Sequence, residues 1–535
     1  MLAYANTGNT TLSMSFSEIL DDTASRWPQS PSITSEGQTF TWSETADRCR
    51  RIANALAERG IQFGDRVAYL GFNSHRYFEM FYAPSKIGAI LVPINFRLSL
   101  REMIECLEDA RPRVLFADGD HLEQAQALAA ACPWVEIVIN SSDLPSLENQ
   151  LCYETLIAQA SAEPVGQPSS GDDTLALFFT GGTTGRSKGV MLTHANLLAN
   201  TRGTIPLYEL VECERYLLVA PMFHAAAGSR VFTAVVMATH TILLQRFDVE
   251  EVMAAIEKYS INGMQLVPTM FQMTLDHPKI DEFDLSSLNM VGYGAAPMPV
   301  ALLQRAIEKF PNIRFCQGYG MTEASPVITT LGPDDHVLSA GKVSKLHTVG
   351  KPTPYVDIKI VDDLGQDLPQ GETGEIVVRG PNIMKGYWGA PEQTEEVLQD
   401  GWYHTGDSGY FDADGYIVLA GRIKDMIVSG GENVYPIEVE NVLTHHPAIS
   451  ECAVIGVPHK VWGESVHAVV RLRNGSKPVT EAELIQYCRD LIAHYKCPTG
   501  ITFREEPMPM SGVNKVLKTE LRKTYNSEHK TVSEE

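Results

Sequence analysis

Residues 180–189, Thr-Gly-Gly-Thr-Thr-Gly-Arg-Ser-Lys-Gly, combine the features that gripping a polyphosphate requires. Gly181, Gly182 and Gly185 permit positive-φ backbone, so bare N–H groups can crowd onto an anion. Thr180, Thr183 and Thr184 add hydroxyl donors, and Arg186 and Lys188 add charge. The run is not a Walker A loop, because Ser187 stands where that motif needs glycine before the lysine. An ordinary Gly-rich turn after a strand is the plain alternative. Further along, Gln317-Gly-Tyr-Gly-Met-Thr-Glu323 offers an aromatic plane for a base, a hydroxyl for a phosphate and a carboxylate able to hold Mg2+ with phosphate oxygens. Trp402-Tyr-His-Thr-Gly-Asp407 sets a carboxylate beside a glycine, as sites that grip a ribose diol do. His224 before Ala225-Ala-Ala-Gly228, the charged and glycine-rich stretch 421–433, and Lys515 in a turn-like segment complete the set. Singly, each has a structural reading: a packed histidine, a strand end, a turn aspartate, a solvated lysine.

These residues need elements to hold them. Thr174–Phe179 reads as a buried strand feeding the first run. Before it, helical and strand patterns alternate: a helix from Phe16, a hairpin about Glu36-Gly37, a helix over 43–59, a strand over 65–70, a helix near 76–86 and a strand over 90–95. Helices and strands continue to Asn140, with Ser99 and Glu102 spaced as a capping box. Such alternation predicts a mostly parallel sheet with helices on both faces. Pro164–Asp173 is a polar connector, and a new structural unit is expected near Thr174. After Lys351 the texture becomes β-rich, and from Gly421 it becomes a compact α+β unit whose helix after Thr480 carries a second capping box with Glu483.

The expected fold is α/β: a large N-terminal domain, 1–421, with doubly wound subdomains at about 1–172 and 173–350 and a β-rich subdomain at 351–421. A small mobile C-terminal domain, 422–535, follows. The 535 residues carry 43 Lys/Arg against 66 Asp/Glu, net −23, which speaks against nonspecific nucleic-acid binding. Residues 422–535 hold 14 basic and 15 acidic side chains, so the C-terminal part can meet a polyanion without strong repulsion. Nine cysteines without a C-x-x-C pair suit reduced thiols in the cytoplasm. Neither a signal peptide nor a transmembrane run is indicated.

In this order, from about residue 16 to 525, the motifs resemble those of the adenylate-forming (AMP-binding) superfamily. The pattern is most similar to acyl-CoA synthetases of the fatty-acid, 4-coumarate and 4-chlorobenzoate CoA ligase types. The resemblance implies ATP, Mg2+ and coenzyme A as partners of a small carboxylic acid. Thr180 to Lys188 would hold the β- and γ-phosphates. Gly294, Ala295, Ala296, Gln317, Gly318, Tyr319 and Gly320 would form the adenine site, with Tyr319 stacking. Thr322 would meet the α-phosphate, Glu323 the Mg2+, and Asp407 and Arg422 the ribose. His224 would stand beside the acyl carboxylate and the thiol's path. Lys424 would be the hinge, Gly430 and Gly431 the pantetheine passage, and Lys515 the lysine bridging acyl carboxylate and α-phosphate. The pattern departs at Gly181 (usually Ser), Ser187 (usually Pro) and Asn514 (usually Gly), none of which removes a required charge.

The implied reaction is ATP-dependent acid–thiol ligation through acyl-AMP, releasing pyrophosphate and AMP. Ala226, Ala295, Gly320, Pro326 and Val327, with Met270 and Tyr293 as neighbours, would line an open apolar pocket for a medium or long acyl chain or an aryl acid. Arg230 could meet a second polar group of that acid; the simpler expectation is that it faces solvent or an ion-pair partner. The alternatives are a stand-alone adenylation enzyme serving a discrete carrier protein or an amine, and a catalytically silent binding protein. A homodimer is left open.

Overall fold

The computed structural model describes residues 13–164, 166–180, 186–336, 344–473, 475–510 and 516–530, with side chains to Asn526. Of the expected site residues, Gly181, Gly182, Thr183, Thr184, Gly185 and Lys515 lie outside these. The chain groups into two compact units. One comprises Met1–Met298, Gln304–Asp357 and Val378–Tyr403; the other comprises Pro299–Leu303, Ile358–Val377 and His404–Glu535. The fold class is the expected α/β one.

The larger unit contains two sheets. In the eight-stranded one, Thr174–Thr180 pairs in parallel with Ile90–Ile94, which continues through Arg66–Leu70 and Val114–Ala117 to Ile137–Asn140 and Gln150–Cys152. Ile90–Ile94 is buried along its whole length, as a parallel strand covered on both faces must be. On its other side, Thr174–Thr180 pairs antiparallel with Lys188–Thr193. The connector at 164–173 therefore does not separate two sheets; it leads to the next strand of the first one. The nine-stranded sheet instead takes in the N-terminal hairpin, Pro31–Ser35 with Gln38–Thr41, through His240–Leu243. It continues through Arg215–Leu218, Gly263–Leu266, Met290–Gly294 and Arg314–Gly320 to Val327–Leu331 and Lys351–Pro352.

Local signals are realised where the chemistry is local. Ser99 and Glu102 cap Leu100–Ala110 reciprocally, and Thr480 and Glu483 do the same for Glu481–Arg489. The helix expected over 76–86 is shorter, His75–Met80, followed by a 3₁₀ turn at Pro84–Ile87. Pro84 has no N–H to continue the ladder and its ring would clash with the preceding turn.

A β-rich sheet joins Asp357–Val361, Gly374–Arg379, Trp402–Phe411 and Ile417–Arg422, and most of its residues belong to the smaller unit. The α+β part of the smaller unit packs Pro436–Thr444 and Glu481–Arg489 on strands Ile427–Ser429, Ile449–His459, Gly463–Leu472 and Gly500–Phe503, around Val439, Leu443, Val454, Val466 and Leu484.

Candidate active site

The strands that flank the glycine-rich run, Thr174–Thr180 and Lys188–Thr193, are paired antiparallel. Thr180 stands opposite Lys188 and Phe179 opposite Gly189, so the two ends of the run are fixed side by side. The Lys188 Nζ lies 4.6 Å from the ring centroid of Tyr387. Tyr387 sits on Gly386–Tyr387, which pairs with Val190 and Met191 of the same hairpin. Its hydroxyl donates to Glu323 Oε1 at 3.0 Å. Burial, with the Glu323 charge beside it, pushes the Tyr387 phenol up, so it keeps its proton and remains the donor. One buried side chain thus ties the hairpin lysine to the carboxylate. Arg186, expected to add charge to the loop, is taken elsewhere: its Nη2 contacts Glu108 at 3.0 Å and Asp109 at 2.9 Å.

Glu323 lies in a 3₁₀ turn, Thr322–Ala324, held from several directions. The Met384 N–H donates to the Glu323 carbonyl (2.8 Å), Asn382 Nδ2 to the Ala324 carbonyl (2.9 Å), and Asn200 Nδ2 to the Val327 carbonyl (2.7 Å). Thr322 and Glu323 are half-buried, as groups reaching a ligand from a fixed backbone would be. The turn follows the strand Arg314–Gly320, in which Gln317 is buried and Gly318, Tyr319 and Gly320 are half-buried. Gly294 pairs with Gly318, and a Cβ on Gly294 would come within 2.3 Å of the Gly318 carbonyl oxygen; only glycine fits. The strand Met290–Gly294 ends at Ala295, whose φ of +64° is the left-handed conformation that a non-glycine residue adopts at a cost. Ala295 is exposed there and Ala296 half-buried. The adenine-site candidates on these two strands are therefore brought together at adjacent strand ends.

His224 is the N-cap residue of the helix Ala225–Val236, with no side-chain cap, and its ring packs on Phe223 at 4.3 Å between centroids. The helix lies close to the hairpin strand: a Cβ on Gly228 would meet the Met222 carbonyl at 2.8 Å and the Phe178 ring at 3.2 Å. Ala226 is half-buried and Arg230 buried, one turn apart on a single helix face. Arg230 faces neither solvent nor an ion-pair partner. It is 6% exposed, its Nε donates to Gln265 Oε1 (2.7 Å), and its guanidinium stands over the Tyr208 ring at 4.5 Å. Val327 starts the strand opposite Gly320 and is buried, with Pro326 before it. Tyr293 and Met270 are not brought into this group as open lining. Tyr293 is fully buried on the face of its strand opposite Gly292 and Gly294, and its hydroxyl bonds His336 Nε2 at 2.9 Å. Met270 is buried in the helix Pro268–Leu275.

In the smaller unit, Asp407 and Arg422 face each other across paired strands, Nε to Oδ1 2.7 Å. Asp407 is 7% exposed, and its N–H donates to Thr405 Oγ1. Glu375 supports the approach: its carboxylate accepts from the Gly406 N–H (3.0 Å) and contacts His404 Nδ1 (2.8 Å). Gly406 has φ +68°, the bend that aims Asp407. Lys424 is exposed in the 3₁₀ turn Ile423–Asp425 immediately after Arg422. Gly430 and Gly431 form the two-residue tip between Ile427–Ser429 and Glu432–Val434, with φ of +61° and +89°, as a type I′ hairpin requires.

Three residues of this constellation were not legible as such: Tyr387, Glu375 and Tyr208. Each sits in a strand or loop whose local pattern is that of ordinary packing, and each gains its partner from a distant segment. Among the described residues no cluster of three or more His, Cys, Asp or Glu could hold a metal. A lone carboxylate such as Glu323 suits Mg2+, which keeps waters and substrate phosphates as its other ligands. Also among the described residues, no helix is long and apolar enough to cross a membrane.

The family described as AMP-binding enzyme matches residues 20–388, and the AMP-binding enzyme C-terminal domain matches 438–515. The chain is 40% identical over 499 residues to feruloyl-CoA synthase from Amycolatopsis sp, covering 93% of this chain and 96% of the relative. It is 34% identical to indoleacetate–CoA ligase from Aromatoleum aromaticum, covering 95% and 98%. The structure of o-succinylbenzoate CoA synthetase from Bacillus subtilis, in complex with its acyl-adenylate intermediate, superposes with a TM-score of 0.82 at 31% identity, covering 94% and 97%.

Proposed function

Because this chain belongs to the AMP-binding enzyme family, on its acyl-CoA synthetase branch, we propose that it activates an aryl-bearing carboxylic acid with ATP and passes the acyl group to coenzyme A. The observation that carries the reading is the Lys188–Tyr387–Glu323 connection, which ties a cation at the end of the glycine-rich run to a carboxylate.

A carboxylate is a poor electrophile, and its oxygen is a poor leaving group. Attack of the carboxylate oxygen on the α-phosphorus forms the P–O bond of acyl-AMP and expels pyrophosphate. Charge builds on the α-phosphate, so the protein's task is positioning and electrostatic stabilisation. Thr180, the glycines and Lys188 would hold the β- and γ-phosphates, Thr322 the α-phosphate, and Lys515 would bridge the acid and that phosphate. Glu323 would hold Mg2+, which would supply neutralising charge there. Asp407, already oriented by Arg422, would accept hydrogen bonds from the ribose hydroxyls. The thiol of coenzyme A then attacks the acyl carbonyl, the C–S bond forms, and AMP leaves. The two steps need different linings, so residues 422–535 are assigned as a mobile domain turning near Lys424.

The acid is assigned to the aryl class because two of the relatives, feruloyl-CoA synthase and the indoleacetate ligase, bear names of aryl acids, and because the candidate pocket residues Ala226 and Gly320 are small. ATP–pyrophosphate exchange over a panel of aryl and alkyl acids, followed by thioester formation with coenzyme A, tests the proposal. Exchange with aryl acids and stoichiometric thioester are expected. Exchange without thioester would shift the acceptor to a carrier protein or an amine, and absence of exchange would leave a binding protein.

A further inference from the structure

Within the smaller unit, strand Gly374–Arg379 holds the turn that leads into Asp407 with side-chain bonds at three successive residues. Thr405 Oγ1 donates to the Ile376 carbonyl (2.7 Å), Ser408 Oγ donates to the Gly374 carbonyl (3.2 Å), and Glu375 Oε1 accepts from the Gly406 N–H (3.0 Å). The Glu375 bond falls on the most pliable residue of the turn. Gly406 has φ +68°, and a Cβ there would meet no atom of the described residues within 4 Å, so packing does not hold it. Glu375 is fixed in its turn: its Oε2 lies 2.8 Å from His404 Nδ1, and the His404 and Glu375 side chains are only 23% and 21% exposed. One carboxylate thus grips both the imidazole and the peptide two residues later. A neutral side chain would avoid the cost of partly burying a charge, but a charged acceptor holds an N–H about twice as strongly. Asp407 depends on that grip. Its ion pair with Arg422, whose side chain is 40% exposed, is worth little by itself, so the aim of the Asp407 carboxylate comes from the backbone beneath it.

We propose that Glu375 is a positioning residue for nucleotide recognition. By holding the Gly406 peptide it aims the Asp407 carboxylate at the ribose, and so sets how strongly the enzyme selects a nucleotide that carries both ribose hydroxyls. This rests on the ligase reading, which assigns the ribose to Asp407. Glu375 touches no substrate in this scheme. It acts through one peptide, and an error of about 1 Å in the group that peptide carries is enough to weaken a positioned contact severely. Thr405 supports the same geometry from inside the turn, since its Oγ1 accepts from the Asp407 N–H at 3.0 Å while donating to Ile376. Glycine at 406 makes the left-handed bend possible, and Glu375 removes the freedom that glycine would otherwise keep.

The test is pyrophosphate exchange at saturating acid with ATP and with 2′,3′-dideoxyATP, which differ only in the two hydroxyls. With the wild-type enzyme, kcat/KM for ATP is expected to exceed that for the dideoxy nucleotide by about 10- to 100-fold, as hydrogen bonds to a charged group would give. In Glu375→Ala that ratio should fall about five- to tenfold, and in Glu375→Gln, whose amide oxygen still accepts from Gly406 without the charge, about two- to fourfold. A merely structural loss would slow both nucleotides equally and leave the ratio at its wild-type value, which would overturn the assignment. If Glu375→Ala does not fold, Glu375→Gln decides by the same criterion. Asp407→Asn separates the two readings. If it lowers the ratio while both Glu375 variants keep it, the role of Glu375 fails alone; if it too keeps the ratio, the ribose assignment fails and this proposal with it. Should no acid support exchange, the ligase reading itself fails. Calorimetric affinities of the wild-type protein and Glu375→Gln for the same two nucleotides then decide: a lower ratio in the variant supports the proposal, and an equal ratio overturns it.

Discussion

At the scale of single residues, Tyr387 shows how one hydroxyl can couple two ligands for the same polyphosphate. It donates to Glu323 and offers its ring face to Lys188, so its two ends hold opposite charges at set positions. Tyr387→Phe keeps the ring and removes the donor. It is expected to raise the Mg2+ concentration needed for half-maximal adenylation about five- to tenfold, near 1 kcal/mol, and to leave the rate at saturating Mg2+ within about twofold. A Mg2+ titration of the exchange rate, with calorimetric affinity for MgATP beside it, checks this; an unchanged Mg2+ profile would separate Tyr387 from the carboxylate's work. Lys515 is tested by half-reaction. Lys515→Ala should slow acyl-AMP formation about 10²- to 10³-fold, the cost of losing one donor to developing charge. Thioester formation from supplied acyl-AMP should be nearly intact, and an equal loss in both steps would contradict its assignment to the α-phosphate.

At the scale of elements, function is carried by strand ends and the turns beyond them. Hairpin register places Thr180 opposite Lys188 and Asp407 opposite Arg422. Lys424 follows Arg422 directly, in a single 3₁₀ turn, the kind of short element in which a few torsions can absorb a domain rotation. Proline fixes φ near −65° and restricts the residue before it, so Lys424→Pro should favour one domain orientation over the other. Acyl-AMP formation is expected to survive, while steady thioester production drops by roughly two orders of magnitude, from the ~3 kcal/mol of forcing proline elsewhere. Burst acyl-AMP and steady-state thioester, measured on one folded preparation, decide it; a normal thioester rate would move the pivot away from Lys424.

At the scale of the whole molecule, three histidines of the larger unit set an acid limit. Burial holds His194 down to about 3, and holds His240 and His336 down to about 4. His194 Nδ1 accepts from the Phe16 N–H at 3.0 Å, which ties the first helix to the start of His194–Thr204 and needs a neutral ring. All three native values lie below the unfolded value of about 6.5. Their stabilisation is therefore present above pH 6.5 and is lost as pH falls toward 4, because the unfolded chain binds the protons first. The unfolding free energy of the larger unit, measured by denaturant titration, should fall between pH 6.5 and 5 by up to about 1.4 kcal/mol per pH unit for each histidine. His194→Gln should flatten that slope by one proton's share; a flat wild-type profile over this window would refute it.

The sequence by itself determined what depends on neighbours along the chain. The α/β class, both capping boxes and the strand leading into the glycine-rich run follow from periodicity and from spacings of three or four residues. Tertiary structure decided what depends on segments far apart. The 164–173 connector looks like a boundary from its turn residues, but strand pairing with Ile90–Ile94 makes it internal to one sheet. Arg186 reads as a phosphate ligand until the helix ending near Asp109 supplies its anions. Tyr387 and Glu323 are separated by 63 intervening residues, and no local pattern could announce their bond. Arg230 is the sharpest case. Its charge predicts solvent or an ion pair, whereas packing against Gln265 and Tyr208 buries it with no carboxylate in ion-pair contact among the described residues, because a buried group's partners are fixed by which strands the sheet order sets beside it.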